Sequence, residues 1–327
     1  MSFVQAASGD TTTYSGNLAN AVALVEAGPG KLLLTGSASS TGTTTINAGG
    51  TLQVGNASTT GVLNTGVITN NGTLIYNRSD VTNTIAAKIS GTGALVDQGS
   101  GTLTLTGAND YTGNTTLTAG KLSLGSASAL GSGGTISFGG GTLQYSASNT
   151  SDYSSRFSTA ANQTYSLDTN GQSVTLGSAL SSSGGTLTKL GTGTLTLAAA
   201  NTYTGATTVS AGTLAVTNAS GLGTTAAGTT VASGATLDLQ GAAVGGEAIT
   251  LSGGTLATST GTSKDPSGNY SFFPGEVMEI LVLRDYRTSS GVLSLIEVNG
   301  TGASIYPNAS FAGVPNTENT EVQKIEG

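Results

Sequence analysis

Apolar and hydroxyl residues alternate along much of this chain. In GTLTLT (101–106), Leu103 and Leu105 stand two apart and project from one face, while Thr102, Thr104 and Thr106 project from the other. The same phase puts Leu195, Leu197 and Leu214 on the inward face of GTLTL and AGTLAV. Threonine is β-branched and favours an extended backbone, so the pattern predicts many short strands. Between them, segments such as NDYTG and NTYTG supply turn chemistry: Asn tolerates turn geometry, and Gly113 or Gly205 takes unusual backbone angles at no steric cost.

These strand–turn–strand stretches repeat. GTLTLTGANDYTGNTTLTAG (101–120) returns 92 residues later as GTLTLAAANTYTGATTVSAG (193–212), with Asn109 and Tyr111 falling on Asn201 and Tyr203. A fainter copy, GKLLLTGSASSTGTTTINAG, lies at 30–49, with Ala38 and Ser40 at the Asn and Tyr positions. One such unit cannot bury its apolar face alone, but a stack of units can. LANAVALVEA, from Leu18, also fits an amphipathic helix. However, Leu24, Gly28 and Gly30 align with Leu95, Gly99 and Gly101 and with Leu187, Gly191 and Gly193, which favours strands. At about 20 residues per coil and about 4.8 Å per rung, the repeats give on the order of 12 rungs, with asparagines at equivalent turns able to stack as amide ladders. Residues 149–170, with Tyr153, Arg156, Phe157, Tyr165 and Asp168, are less repetitive and read as a longer excursion from the stack.

The run GGTLTKLGTGTLTLAAANTYTGATTVSAGTLAV, with its lead-in SSRFSTAANQTYSLDTNGQSVTLGSALS, resembles the autotransporter-associated β-strand repeat of large secreted bacterial surface proteins. The resemblance covers about residues 14–258. It implies a right-handed parallel β-helix, and a scaffold with no catalytic, cofactor or metal residues.

Composition narrows the functional classes. The chain has 327 residues, 51 of them Gly, and a net charge of −7 with only 10 Lys and Arg, which speaks against nucleic acid or an anionic membrane surface as partner. It contains no Cys and no His, so disulfides, thiolate chemistry and the commonest general base are absent. No run approaches the roughly 20 apolar residues of a membrane span.

Residues 261–327 differ from the rest. They hold four of the five prolines and strands of ordinary composition in EVMEILVLRDY, GVLSLIEVN and GASIYPNASF. The expected organisation is therefore a solenoid over 1–260 and a small C-terminal β module over 261–327. That module would cap the rod or dock it, and Phe272, Phe273, Ile280, Val282, Ile296 and Phe311 are the candidate docking or oligomerisation residues. By analogy with elongated surface proteins, the expected assembly is a homo-oligomer, a trimer in the simplest case.

An enzyme reading needs a pair of carboxylates. Asp97, Asp110, Asp152, Asp168 and Asp238 are scattered in apparent turns, and Asp110 with Asp168 is the one pair to inspect. Tyr111 and Tyr203 read as rung packing, with a sugar-binding face as the alternative. No GK[ST] follows the glycine-rich segments, so they are not phosphate loops.

MSFVQAASGD shows neither a basic leader nor an apolar signal core. Taken with the distinct C-terminal module, this favours a non-enzymatic structural protein of a bacteriophage virion, such as a capsid decoration or cement protein. That protein would sit on the virion surface with a capsid protein as partner. The alternative is a secreted bacterial adhesin or passenger-like fragment on the cell surface, with a cell-surface protein or surface glycans as partners. A polysaccharide-acting β-helix enzyme is the remote third.

Overall fold

The computed structural model describes residues 9–259 apart from 245, together with the backbone of five short strands outside that range: Ser2–Gln5, Val277–Ile280, Arg287–Thr288, Gly291–Val292 and Val298–Asn299. The chain is an all-β parallel solenoid of about 12 turns. Among the described residues the sole helical element is the 3-10 turn Ser154–Arg156.

Each alternating segment forms a strand of three to eight residues whose apolar positions face the interior. Strands stack in register on the coil before, so like side chains fall into columns. One column runs Leu32, Leu52, Leu74, Leu95. Another runs Leu103, Leu122, Leu143, Leu167. A third joins Val174, Leu195, Leu214, Leu237 and Leu256. Leu103, Leu105, Leu195, Leu197 and Leu214 are all at most 2% exposed. Burying a side chain of this kind contributes roughly 1.5–3 kcal/mol, so the columns are the main source of stability along the axis. The stretch from Leu18 forms the strands Asn17–Asn20, Ala23–Glu26 and Lys31–Leu34 separated by bends, with no helix.

Two departures from the sequence reading have clear physical causes. Residues 149–170 do not leave the stack. Phe157 pairs with Ile136 as a parallel bridge, and Ser158 N donates to Ile136 O at 2.8 Å. The rings of Phe138, Phe157 and Tyr165 then fill the interior, Phe138 meeting Phe157 edge-on at 5.0 Å and Tyr165 at 5.5 Å. Arg156 secures the same coil by donating to the carbonyls of Leu130, Gly131, Gly133 and Gly134.

This coil also shifts the repeat frame. Thr164–Asp168 stacks on Thr142–Gln144, and Thr186–Leu190 stacks on it in turn. Four coils therefore carry Leu103, through Leu122, Leu143 and Leu167, to Lys189, 86 residues on, whereas the sequence repeat carries Leu103 to Leu195, 92 residues on. The difference of 6 is the step from Lys189 to Leu195, one strand further along the chain. Ala94–Asp97 and its copy Thr186–Leu190 consequently lie in different sheets.

The asparagines do not stack amide on amide. Asn109 Oδ1 accepts from Ile89 N at 2.8 Å in the coil before, and its Nδ2 donates to Ala129 O at 2.7 Å in the coil after. Asn201 bridges Leu180 N (2.8 Å) and Gly221 O (2.5 Å) in the same way. An amide in a corner is thus spent on backbone groups that the turn leaves without strand partners.

Beyond the last parallel rung, Val277–Ile280 runs antiparallel to Thr255–Ala257, and Val298–Asn299 antiparallel to Val277–Ile280. Of the candidate docking residues, Phe272, Phe273, Val282, Ile296 and Phe311 lie outside the described residues, as does the side chain of Ile280.

Candidate functional site

The carboxylates are dispersed by the coil geometry. Asp110 is exposed and pairs with Lys88 at 2.6 Å. Asp168 ends an outward row of a different sheet, where Lys121 Nζ (2.8 Å) and Gln144 Nε2 (2.9 Å) meet its Oδ2. Burial opposes ionisation of Asp168, but Lys121, Gln144 and the Asn170 N–H outweigh it and hold the carboxyl below its ordinary value. Each member of the Asp110/Asp168 pair is thus bound to its own lysine, and no shared reaction centre forms. Asp152 caps backbone, accepting from Ser154 N and Gly177 N at 2.8 Å each. Asp238 accepts from Ser259 N (2.9 Å) and from Ser259 Oγ (2.6 Å).

Tyr111 and Tyr203 are fully buried, and their hydroxyls lie 2.8 Å and 2.6 Å from Thr115 Oγ1 and Thr207 Oγ1. They offer no ring to a sugar. Outside the core, an open groove is lined by Ser39, Thr41, Asn64, Thr65 and Gly66. Its side chains can exchange hydrogen bonds but carry no charge. No group of three or more acidic residues able to hold a metal occurs among the described residues. Nor is any helix among them long and apolar enough to cross a membrane.

The chemically distinctive positions are buried charges: Lys189 and Glu26, which the sequence reading did not single out, and Asp97, which it placed in a turn and which instead ends the strand Ala94–Asp97. Lys189 stands in the inward column between Leu167 and Val209 and is fully buried. Its Nζ donates to the carbonyls of Leu190 (3.0 Å), Gly191 (2.7 Å) and Ala211 (3.0 Å). Burial pushes the ammonium down to about 8, with the Asp168 charge opposing. Asp97 stands inward between Tyr76 and Leu117 at 3% exposure, and burial raises it to about 8. Glu26 is fully buried and raised for the same reason, against a hydrogen bond from Gly28 N. The available signal was parity: Lys189 is two residues after Leu187, and Asp97 two after Leu95.

Three segments, 24–54, 95–124 and 187–216, match the passenger-associated-transport repeat. Over 145 residues, 44% of the chain, the sequence is 39% identical to the adhesin BmaC autotransporter of Brucella suis biovar 1 (strain 1330). The chain spans 4% of that relative's length. No solved structure matches.

The first-placed functional reading is corrected by these matches. The repeat is a passenger-associated one and the relative is an autotransporter adhesin, and neither points to a virion, a capsid partner or a cement protein. That reading drew on the chain's termini, which carry no weight in a stretch covering so little of its relative.

Proposed function

We propose that this chain is a length of the rod of a bacterial surface autotransporter, that it serves adhesion, and that it works without catalysis. The supporting observation is that the three matched repeats are coils of the solenoid itself, within a chain 39% identical over 145 residues to an autotransporter adhesin. A scaffold of this type presents uncharged hydroxyl and amide side chains on its flanks, so surface proteins and glycans are the fitting partners.

Protease shaving of intact producing cells tests the location: peptides from 31–257 should be released from the surface. Recovery from the cytosol alone would refute it. Adhesion is tested by coating beads with the full chain and counting those held by host-type cells or glycan arrays, with beads coated with the heat-denatured chain as the control. Beads that bind no better than the control would remove the adhesive role. Copies of the 261–327 module joining one another form the associated assembly. Light scattering of the full chain and of a chain ending at Thr262 should then show a loss of oligomeric mass on truncation.

A further inference from the structure

The third residue of each matched repeat is ionisable and faces the interior: Glu26, Asp97 and Lys189. In the third repeat the charge is solvated by the backbone, because three carbonyls converge on the ammonium. In the second repeat the sign is reversed, yet the surrounding backbone is retained. Gly120 and Gly212 have φ of 59° and 65°. A Cβ at Gly212 would meet the Gly191 oxygen and the Lys189 Nζ, and a Cβ at Gly120 would meet the corresponding Gly99 oxygen. The carbonyl of Gly99 therefore stands where that of Gly191 holds the lysine, and in the repeat alignment the carbonyl of Ala119 is the counterpart of that of Ala211. Asp97 is two atoms shorter than lysine, so its carboxylate stops short of them. Its Oδ2 has no hydrogen-bond partner, and a buried unpaired carboxylate is expensive.

We propose that a hard, oxygen-liganded cation sits between the Asp97 carboxylate and the carbonyl oxygens of Gly99 and Ala119, in the place taken by the Lys189 ammonium in the third repeat. The donor set is carboxylate and carbonyl oxygen with no nitrogen or sulfur, which suits sodium, potassium or calcium rather than a transition metal. Glu26 is likewise fully buried with Oε2 unpartnered, but its Oε1 accepts from Gly28 N at 3.3 Å and a Cβ at Gly49, the counterpart of Gly120, would meet Pro29 and not the Gly28 oxygen, so the proposal is confined to Asp97. The second repeat thus takes from solution the positive charge that the third supplies covalently. This inference is independent of the adhesive role.

The experiment uses the full chain in a Glu26→Gln background, so that Asp97 is read alone. Thermal unfolding is followed at constant ionic strength, with tetramethylammonium chloride, an ion too large for the site, replaced stepwise by NaCl, KCl or CaCl2. Titration calorimetry is run in parallel. The expected result is a saturable rise in melting temperature of about 2–4 °C with at least one of the three cations. Heat of binding should appear at one site per chain, and both signals should vanish in Asp97→Asn. Asp97→Lys should melt as high as the cation-loaded parent and ignore all three salts. Conversely, Lys189→Asp should acquire a cation response, a readout that remains if a variant at 97 does not fold. Identical melting in every salt with no binding heat would overturn the proposal, leaving a protonated carboxyl at Asp97. A rise undiminished in Asp97→Asn would overturn it as well.

Discussion

At the residue scale, alternation made the apolar interior readable and hid the polar interior. Leu103, Leu105, Leu195, Leu197 and Leu214 lie two apart within a repeating phase, and that spacing alone puts them on one face. Lys189 has the same phase as Leu187 and was passed over because a lysine is expected outside. Its burial has a measurable consequence. The folded-state value is about 8 against an ordinary 10.5, so burial disfavours the charged form. Below pH 8 both folded and unfolded chains hold the proton and the penalty is constant. Between pH 8 and 10.5 the unfolded chain alone holds it, so the Lys189 contribution to stability should rise with pH across that window, by about 3 kcal/mol in total, while the buried tyrosines, raised by burial, act in the opposite direction near its upper end. Urea unfolding of the parent and of Lys189→Met at each pH isolates the contribution, which should disappear from the variant. Asn201 gives a second expectation. Asn201→Ala strands Leu180 N and Gly221 O inside a corner and should cost about 2–4 kcal/mol in the same assay. Asn201→Asp should fare no better, because a carboxylate cannot donate to Gly221 O.

At the element scale, strands and turns followed from the sequence closely, but their arrangement around the coil did not. The sequence copy stands 92 residues on, whereas the stack advances 86 residues over the four coils from Leu103 to Lys189, and the surplus strand moves the copy to the next sheet. Nothing in the local pattern encodes this, because alternation fixes in and out but not which of three faces a strand joins. The segment responsible is hard to read for a related reason. Residues 149–170 lack leucine alternation, yet their aromatic side chains fill the interior that leucines fill elsewhere. Phe157 is central, packing on Phe138 and lying 6.2 Å from Tyr165 in a stacked orientation. Phe157→Ala should therefore cost about 3–5 kcal/mol. Phe157→Leu, which keeps most of the volume, should cost less than half as much. Equal losses would mean that the ring geometry, and not its volume, holds the frame shift.

At the scale of the whole molecule, the fold class was legible and the biological setting was not. Repetition of an element that cannot bury itself demands a stack, whichever protein carries it. Function needs a partner, and among the described residues the acids and tyrosines singled out in the sequence are dispersed or buried and name none. What the architecture does dictate is how damage spreads. Each coil contacts only its neighbours, so stability is a sum of local terms and pair terms along the axis. Leu195→Asp puts a charge into the column joining Val174, Leu195, Leu214 and Leu237, where no partner awaits it. In a globular domain such a substitution would lower protection everywhere. Here hydrogen exchange followed by mass spectrometry should show protection collapsing in peptides from 173–238, while those from 31–97 keep parental rates. The frame-shift coil at 149–170, with its aromatic plug, is where the boundary should fall. Uniform acceleration along the whole rod would show that the coils unfold as one cooperative unit and that the nearest-neighbour description does not hold for this solenoid.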